Sequence, residues 1–183
     1  MPYTTKPTFV YNGGWSDETR AHPAMKWMED YTVNVVDAKN FDMLSTKYRV
    51  ADFVLQKSDG TIIQGADPAW EAEKQIYNQF LAHCHEPQAL MCCETEFGWE
   101  MIGQADVYVI LPGNAGPGEK KVKSKSGKEW DAVMPSAFRF EYVKDASGPD
   151  GIKLSSAKIF SDPLPALSLL LKRGVLNPQD LLQ

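Results

Sequence analysis

The sequence predicts an α+β fold in which a curved, mostly antiparallel sheet is covered on one face by three helices. Three observations carry that expectation. Helical periodicities come early in the chain and strand periodicities late, so the two classes are segregated rather than alternating. The four longer strand candidates follow one another through short connections, and such connections pair strands antiparallel. The helical segments each carry an apolar stripe that needs a partner face. A bent sheet closed by helices on one side makes a cone with a hollow inside.

Residues 1–21 mix Pro, Gly, Thr and Asp without a period, and are expected to form an irregular arm docked through Tyr3, Phe9, Tyr11 and Trp15. The first helix starts at Pro23, since proline suits the first helical position. Its stripe is Ala24, Trp27, Met28, Tyr31, Val35 and Ala38. "AKNFDMLSTKY" suggests a second, short helix anchored by Phe41 and Leu44. "ADFVLQKSDGTIIQG" reads as a hairpin turning at Asp59-Gly60, residues that tolerate the left-handed backbone of a tight turn. "ADPAWEAEKQIYNQFLAHC" is the clearest helix, capped by Asp67 and begun by Pro68, with Trp70, Tyr77, Leu81 and Cys84 as its stripe. Extended segments follow: "ALMCCETEF", then residues 99–111, "AVMPSAFRFEYV" and "IKLSSAKIF". "SDPLPALSLLLKRGVLNPQDLL" follows as a capped apolar helix and a short final turn. The organisation expected is an arm (1–21), one domain (22–162) and a helical extension (163–183).

The chain has 183 residues, 43 % hydrophobic and 23 % charged, ordinary for one globular domain. A net charge of −5 argues against nucleic acid as a partner, which would need a basic face. Three cysteines, Cys84, Cys92 and Cys93, make no disulfide framework. The first residues hold no apolar core of signal-peptide length. No apolar run approaches the ~20 residues of a membrane span. A cytoplasmic protein without a membrane partner is expected.

The stretch "WEMIGQADVYVIL" (99–111) has two faces at a period of two. Met101, Gly103, Ala105, Val107 and Val109 make one; Ile102, Gln104, Asp106, Tyr108 and Ile110 make the other. The second is either a solvent face or the polar wall of a greasy pocket.

The element order resembles the SnoaL-like branch of the nuclear transport factor 2-like superfamily over roughly residues 22–162. The stretches carrying the resemblance are "NFDMLSTKYRVADFVL", "DGTIIQGADPAW", "GWEMIGQADVYVIL" and "GIKLSSAKIFSDP". It implies a cone-shaped cavity for a small hydrophobic molecule. It also implies polyketide cyclase, dehydratase, isomerase or epoxide hydrolase chemistry, mostly without cofactor, or non-catalytic binding. The dehydratase branch places paired histidines in its pocket, whereas His83 and His85 here sit at the end of a predicted helix.

On the pocket reading, Asp106 is the candidate base and Tyr108 the donor. An apolar hollow raises a carboxylate's pKa toward neutrality, and a phenol can donate to a developing enolate. Gln104 would line the same wall. Tyr31 is a further candidate catalytic group, against the duller reading of a core tyrosine bonded to a carbonyl. Trp27 and Met28 share its stripe as packing or substrate contacts. Phe138, Phe140 and Tyr142 share a face of "FRFEY" and would line the hollow, leaving Arg139 and Glu141 outside. No metal is expected, because histidines two apart point to opposite sides of a helix. No cofactor is expected, because no glycine-rich cradle opens a helix after a strand. Lys120, Lys121, Lys123, Lys125 and Lys128 read as a solvated loop. The function expected is proton-transfer isomerisation or cyclisation of a hydrophobic natural-product intermediate. The alternative is a ligand-binding or homodimerising protein of the same fold.

Overall fold

A computed structural model describes residues 7–181, so the expectation for Tyr3 lies outside the described residues. The elements run β1 (Thr8–Asn12), α1 (Asp17–Arg20), α2 (Pro23–Tyr31), β2 (Arg49–Gln56), β3 (Ile62–Gln64), α3 (Ala66–Asn78), β4 (Ala82–Glu94), β5 (Gly98–Ile110), β6 (Val122–Lys123), β7 (Glu129–Trp130), β8 (Ala132–Lys144), β9 (Ile152–Ser161) and α4 (Leu164–Lys172). Seven strands form one sheet in the order β1-β4-β5-β8-β9-β2-β3, and β6 pairs with β7 separately. Every pairing is antiparallel except β2 with β9. The fold is α+β, with a large, curved, unclosed sheet and helices on its concave side.

The sheet's long strands have an apolar inner face, and the helices cover it. Trp27 on α2 stacks on Tyr31 and meets Tyr142 of β8 edge-on, with ring centroids 5.2 and 5.6 Å apart. Trp70 on α3 donates its indole N–H to the Phe41 carbonyl at 3.0 Å, which removes the cost of burying that group. A second apolar cluster forms where Ala166 and Leu170 of α4 pack on Val107 and Val109 of β5 and Met134 of β8. Gly103 allows the close crossing inside the bend: a Cβ there would come 2.6 Å from the Phe138 ring and 2.7 Å from the Ala89 carbonyl.

Four local expectations are corrected. The N-terminal arm is not wholly irregular: Thr8–Asn12 alternates in burial and pairs with β4 as an edge strand. The second helix is only a 3₁₀ turn at Ser45–Lys47; Phe41 is buried there, but Leu44 is exposed. The first helix keeps α winding only to Tyr31 and continues as a π-helical segment over Thr32–Asp37. The third helix stops at Asn78, so residues 82–88 are strand and Leu81 is exposed. Pro87 lies inside that strand. A register shift between Pro87 and Ala89 accommodates the residue that cannot donate to the ladder.

Candidate functional site

A cavity of about 540 Å³ lies between the concave sheet face and the helices. Its walls are mostly apolar: Met28, Val36, Ile76, Val107, Phe138, Phe140, Leu154 and Leu170 are among them, and Trp15 of the arm also lines it. Exposed Ser58 and Asp59, from the turn between β2 and β3, line it as well and mark its solvent side. That size suits a small organic ligand.

Polar groups enter the cavity from α2, α3 and β4. Tyr31, on the buried stripe of α2, accepts a hydrogen bond from Arg49 Nη2 at 2.9 Å and donates to Glu73 Oε2 at 3.2 Å. Arg49 itself pairs with Glu73. Its guanidinium lies 4.6 Å from the Phe53 ring centroid and 4.9 Å from that of Trp70. Burial foremost, and then the Glu73 carboxylate, push the Tyr31 pKa far above its ordinary value, against the lowering effect of Arg49. The phenol is therefore a neutral donor at all working pH.

The second polar group is His85. In β4, residues 83 and 85 share a strand face, so both histidines turn toward the helices. Asp37 ends the π-helical segment beside them. Its Oδ1 lies 2.6 Å from His85 Nδ1, and its Oδ2 accepts the His85 backbone N–H at 3.1 Å. A carboxylate only accepts, which makes Nδ1 the protonated nitrogen and leaves Nε2 with a lone pair. The Tyr77 hydroxyl sits 3.1 Å from that Nε2. His85, Tyr77, Tyr31 and Glu73 all line the cavity, while Asp37 stands behind His85. The arrangement is a positioned imidazole base at the wall of a greasy hollow, with phenols beside it.

The structure sorts the residues singled out from sequence. Tyr31, Met28, Phe138 and Phe140 line the cavity. Trp27 and Tyr142 are buried behind it, and the Tyr142 hydroxyl faces Met101 Sδ at 3.7 Å. Gln104, Asp106 and Tyr108 lie on the opposite sheet face from the Ala105–Val107 wall, away from the cavity. Asp106 there accepts a hydrogen bond from Gln88 at 2.8 Å. Tyr108 is covered by Trp130, with ring centroids 6.2 Å apart. Alternation alone could not say which face was concave, and the polar face of β5 is the outer one. Arg139 bonds Glu100 at 2.6 Å and Glu141 at 2.9 Å. The lysine loop is less free than expected: Lys121 pairs with Asp131, and Lys125 Nζ donates to the Pro87 carbonyl at 3.0 Å. Asp37 and His85 were missed. The signal that could have found them is the i, i+2 histidine pair, had the segment been read as extended.

No family model matches the chain, and no curated protein matches it in sequence. Solved structures do match its fold. A hexachlorocyclohexane dehydrochlorinase (LinA, type 2) superposes with a TM-score of 0.55 at 12 % identity, over 80 % of this chain and 90 % of that one. A protein from Jannaschia sp. CCS1 assigned as a SnoaL-like polyketide cyclase gives 0.53 at 13 %, over 85 % and 94 %. An NTF-2-like protein of unknown function from Pseudomonas aeruginosa gives 0.53 at 9 %, over 76 % and 98 %. At such identities the likeness concerns the fold, and the fold of this chain is that of the SnoaL-like, nuclear transport factor 2-like superfamily.

Proposed function

We propose that this chain is a proton-transfer enzyme, an isomerase or cyclase acting on a hydrophobic, oxygenated small molecule. The observation that carries the reading is the Asp37–His85 pair at the wall of an apolar cavity of about 540 Å³. His85 Nε2 takes a proton from a carbon made acidic by a neighbouring carbonyl. Asp37 holds the imidazole in the required tautomer and stabilises the imidazolium that forms. The substrate displaces the Tyr77 hydroxyl from Nε2. Tyr31, polarised by Arg49, turns its one O–H from Glu73 to the developing enolate oxygen. Return of the proton from His85 to another carbon completes an isomerisation; in a cyclisation the enolate carbon attacks a second carbonyl, and the His85 proton passes to the alkoxide that forms. The apolar walls exclude water and position a flexible substrate for the intramolecular step. His85 and Tyr31 take the base and donor roles that the sequence suggests for Asp106 and Tyr108, because His85 and Tyr31 share the cavity. Structural neighbours named for dehydrochlorination and polyketide cyclisation support the chemistry in kind, since both reactions remove a proton from carbon.

The test is α-proton exchange of 2-tetralone in D₂O, followed by ¹H NMR. The expected result is exchange well above background, reduced to background in His85→Gln and about 10²-fold in Tyr31→Phe. Exchange at background for the wild type, with saturable 2-tetralone binding, would favour the alternative of a binding protein. That second reading draws on the cavity walls, which are apolar over most of their extent.

A further inference from the structure

The geometry points to a divalent transition-metal site formed by Asp37, His83 and His85 at the edge of this cavity. It shares Asp37 and His85 with the proton-transfer reading but does not require that reading to be right. One donor atom from each residue lies within 4.8 Å of the other two. Asp37 Oδ1 is 2.6 Å from His85 Nδ1 and 3.7 Å from His83 Nε2. Donors bound at about 2.0–2.2 Å to one ion stand roughly 3 Å apart. The His83 contact then needs to close by about 0.7 Å and the His85 contact to open by about 0.4 Å.

His83 is the independent sign. Its side chain has no exposed surface, and neither ring nitrogen has a well-aligned hydrogen-bond partner among the described residues; the Val36 backbone and Asp37 are the polar groups it faces. Burying an imidazole so poorly partnered is costly, and nothing in the proton-transfer reading uses it. Its Nε2 points at Asp37, and its ring is fixed by stacking on Tyr77 with centroids 4.4 Å apart and planes 14° from parallel.

The donor set is two imidazoles and one carboxylate, which suits Zn²⁺, Co²⁺ or Fe²⁺; of the three residues, His85 is the one that lines the cavity. The surroundings fit as well. With a metal on Nδ1, His85 would carry its proton on Nε2 and donate to Tyr77, the outer hydrogen bond that metal-bound histidines usually make. Lys39 is the cationic group that opposes the ion; its ammonium is engaged by the Phe80 carbonyl. Metal and base chemistry exclude one another here, because both need His85 Nδ1 and Asp37 Oδ1. A bound ion would switch off the proton transfer.

The experiment is titration of the untagged, chelator-treated full chain with Co²⁺, read by its visible d–d absorption. The expected result is one equivalent bound, displaced by Zn²⁺, with the band lost in His83→Phe. Zn²⁺ should also raise the melting temperature of the wild type by mass action, a readout that needs no variant to fold. No Co²⁺ band together with no Zn²⁺ shift in the wild type would overturn the site, and so would an undiminished band in folded His83→Phe. In the 2-tetralone assay one equivalent of Zn²⁺ should suppress wild-type exchange. Metal binding without any exchange by the metal-free protein would sink the proton-transfer reading and leave the metal site standing; exchange without metal binding would do the reverse.

Discussion

At the scale of single residues, Asp37 and Arg49 make opposite kinds of contribution. In the proposed mechanism Asp37 orients a base. Changing it to Asn keeps the shape but lets the amide donate to Nδ1, which favours the tautomer with its proton on Nε2. The expected outcome is a 10²–10⁴-fold fall in 2-tetralone exchange rate, with binding of the probe little changed; NMR exchange and a binding titration separate the two. Arg49, beyond polarising Tyr31, holds the fold. It is fully buried, with Glu73 and Tyr31 as partners. Arg49→Met leaves the Glu73 carboxylate half-paired beside an apolar wall and should cost roughly 3–5 kcal/mol in urea denaturation. Replacing both residues, as Arg49→Met with Glu73→Leu, should recover most of that loss, because a buried ion pair stabilises little over apolar groups of similar volume. Tyr31 was legible from the apolar spacing of α2. Its partners were not, since Arg49 and Glu73 are 24 residues apart and local periodicity carries no long-range pairing.

At the scale of elements, the site depends on where α winding stops. Tyr77, Leu81 and Cys84 fit a helical stripe, and local spacing extends α3 through them. The chain instead turns at Gln79–Leu81 and enters β4, where the Leu81 N–H pairs with the Ile110 carbonyl at 2.8 Å. Long-range strand pairing overrides local propensity there, and this is why His83 and His85 looked divided when they share a face. The π-helical segment over Thr32–Asp37 is equally invisible to a 3.6-residue repeat, and π segments gather at functional sites. The aromatic face of β8 was legible, because burying Phe138 and Phe140 outweighs burying Arg139 and Glu141. The end of α4 offers a test at this scale. Arg173 binds Glu119 at 2.7 Å and Asp131 at 3.1 Å, while the Leu111 N–H donates to Asp131 at 2.8 Å. Burial alone would raise the Asp131 pKa; Arg173, Lys121 and that N–H hold it down to about 2. A carboxylate depressed on folding stabilises above its unfolded pKa, near 3.8, and the gain is lost as pH falls through about 2. Asp131→Asn should therefore be less stable by on the order of 2 kcal/mol at pH 7, with the gap to wild type shrinking between pH 4 and pH 2 in acid-denaturation curves.

At the scale of the whole molecule, the element order exposes the fold but not the hollow. Helices first and strands last make the cone legible, yet a filled cone and an open one share the same periodicities, because alternation reports only which side is apolar. The difference lies in how side-chain volumes meet across the bend, and Val107 is the place to measure it. It is 6 % exposed, sits on the concave face of β5 and borders both the cavity and the cluster that holds α4. In a close-packed core, Val107→Phe would force neighbours aside and cost about 1–3 kcal/mol. Beside an open volume of about 540 Å³, the added ring has somewhere to go, and the apolar area it buries offsets the lost rotamer freedom. The expected outcome is a urea midpoint within about 1 kcal/mol of wild type, together with weaker binding of 2-tetralone, since the ring takes up space the ligand would fill. A large loss of stability with unchanged binding would mean that this part of the cone is solid and that the ligand lies elsewhere. The variant leaves His85, Asp37 and Tyr31 untouched, so a fall in exchange that saturating 2-tetralone restores would trace the site to the hollow itself.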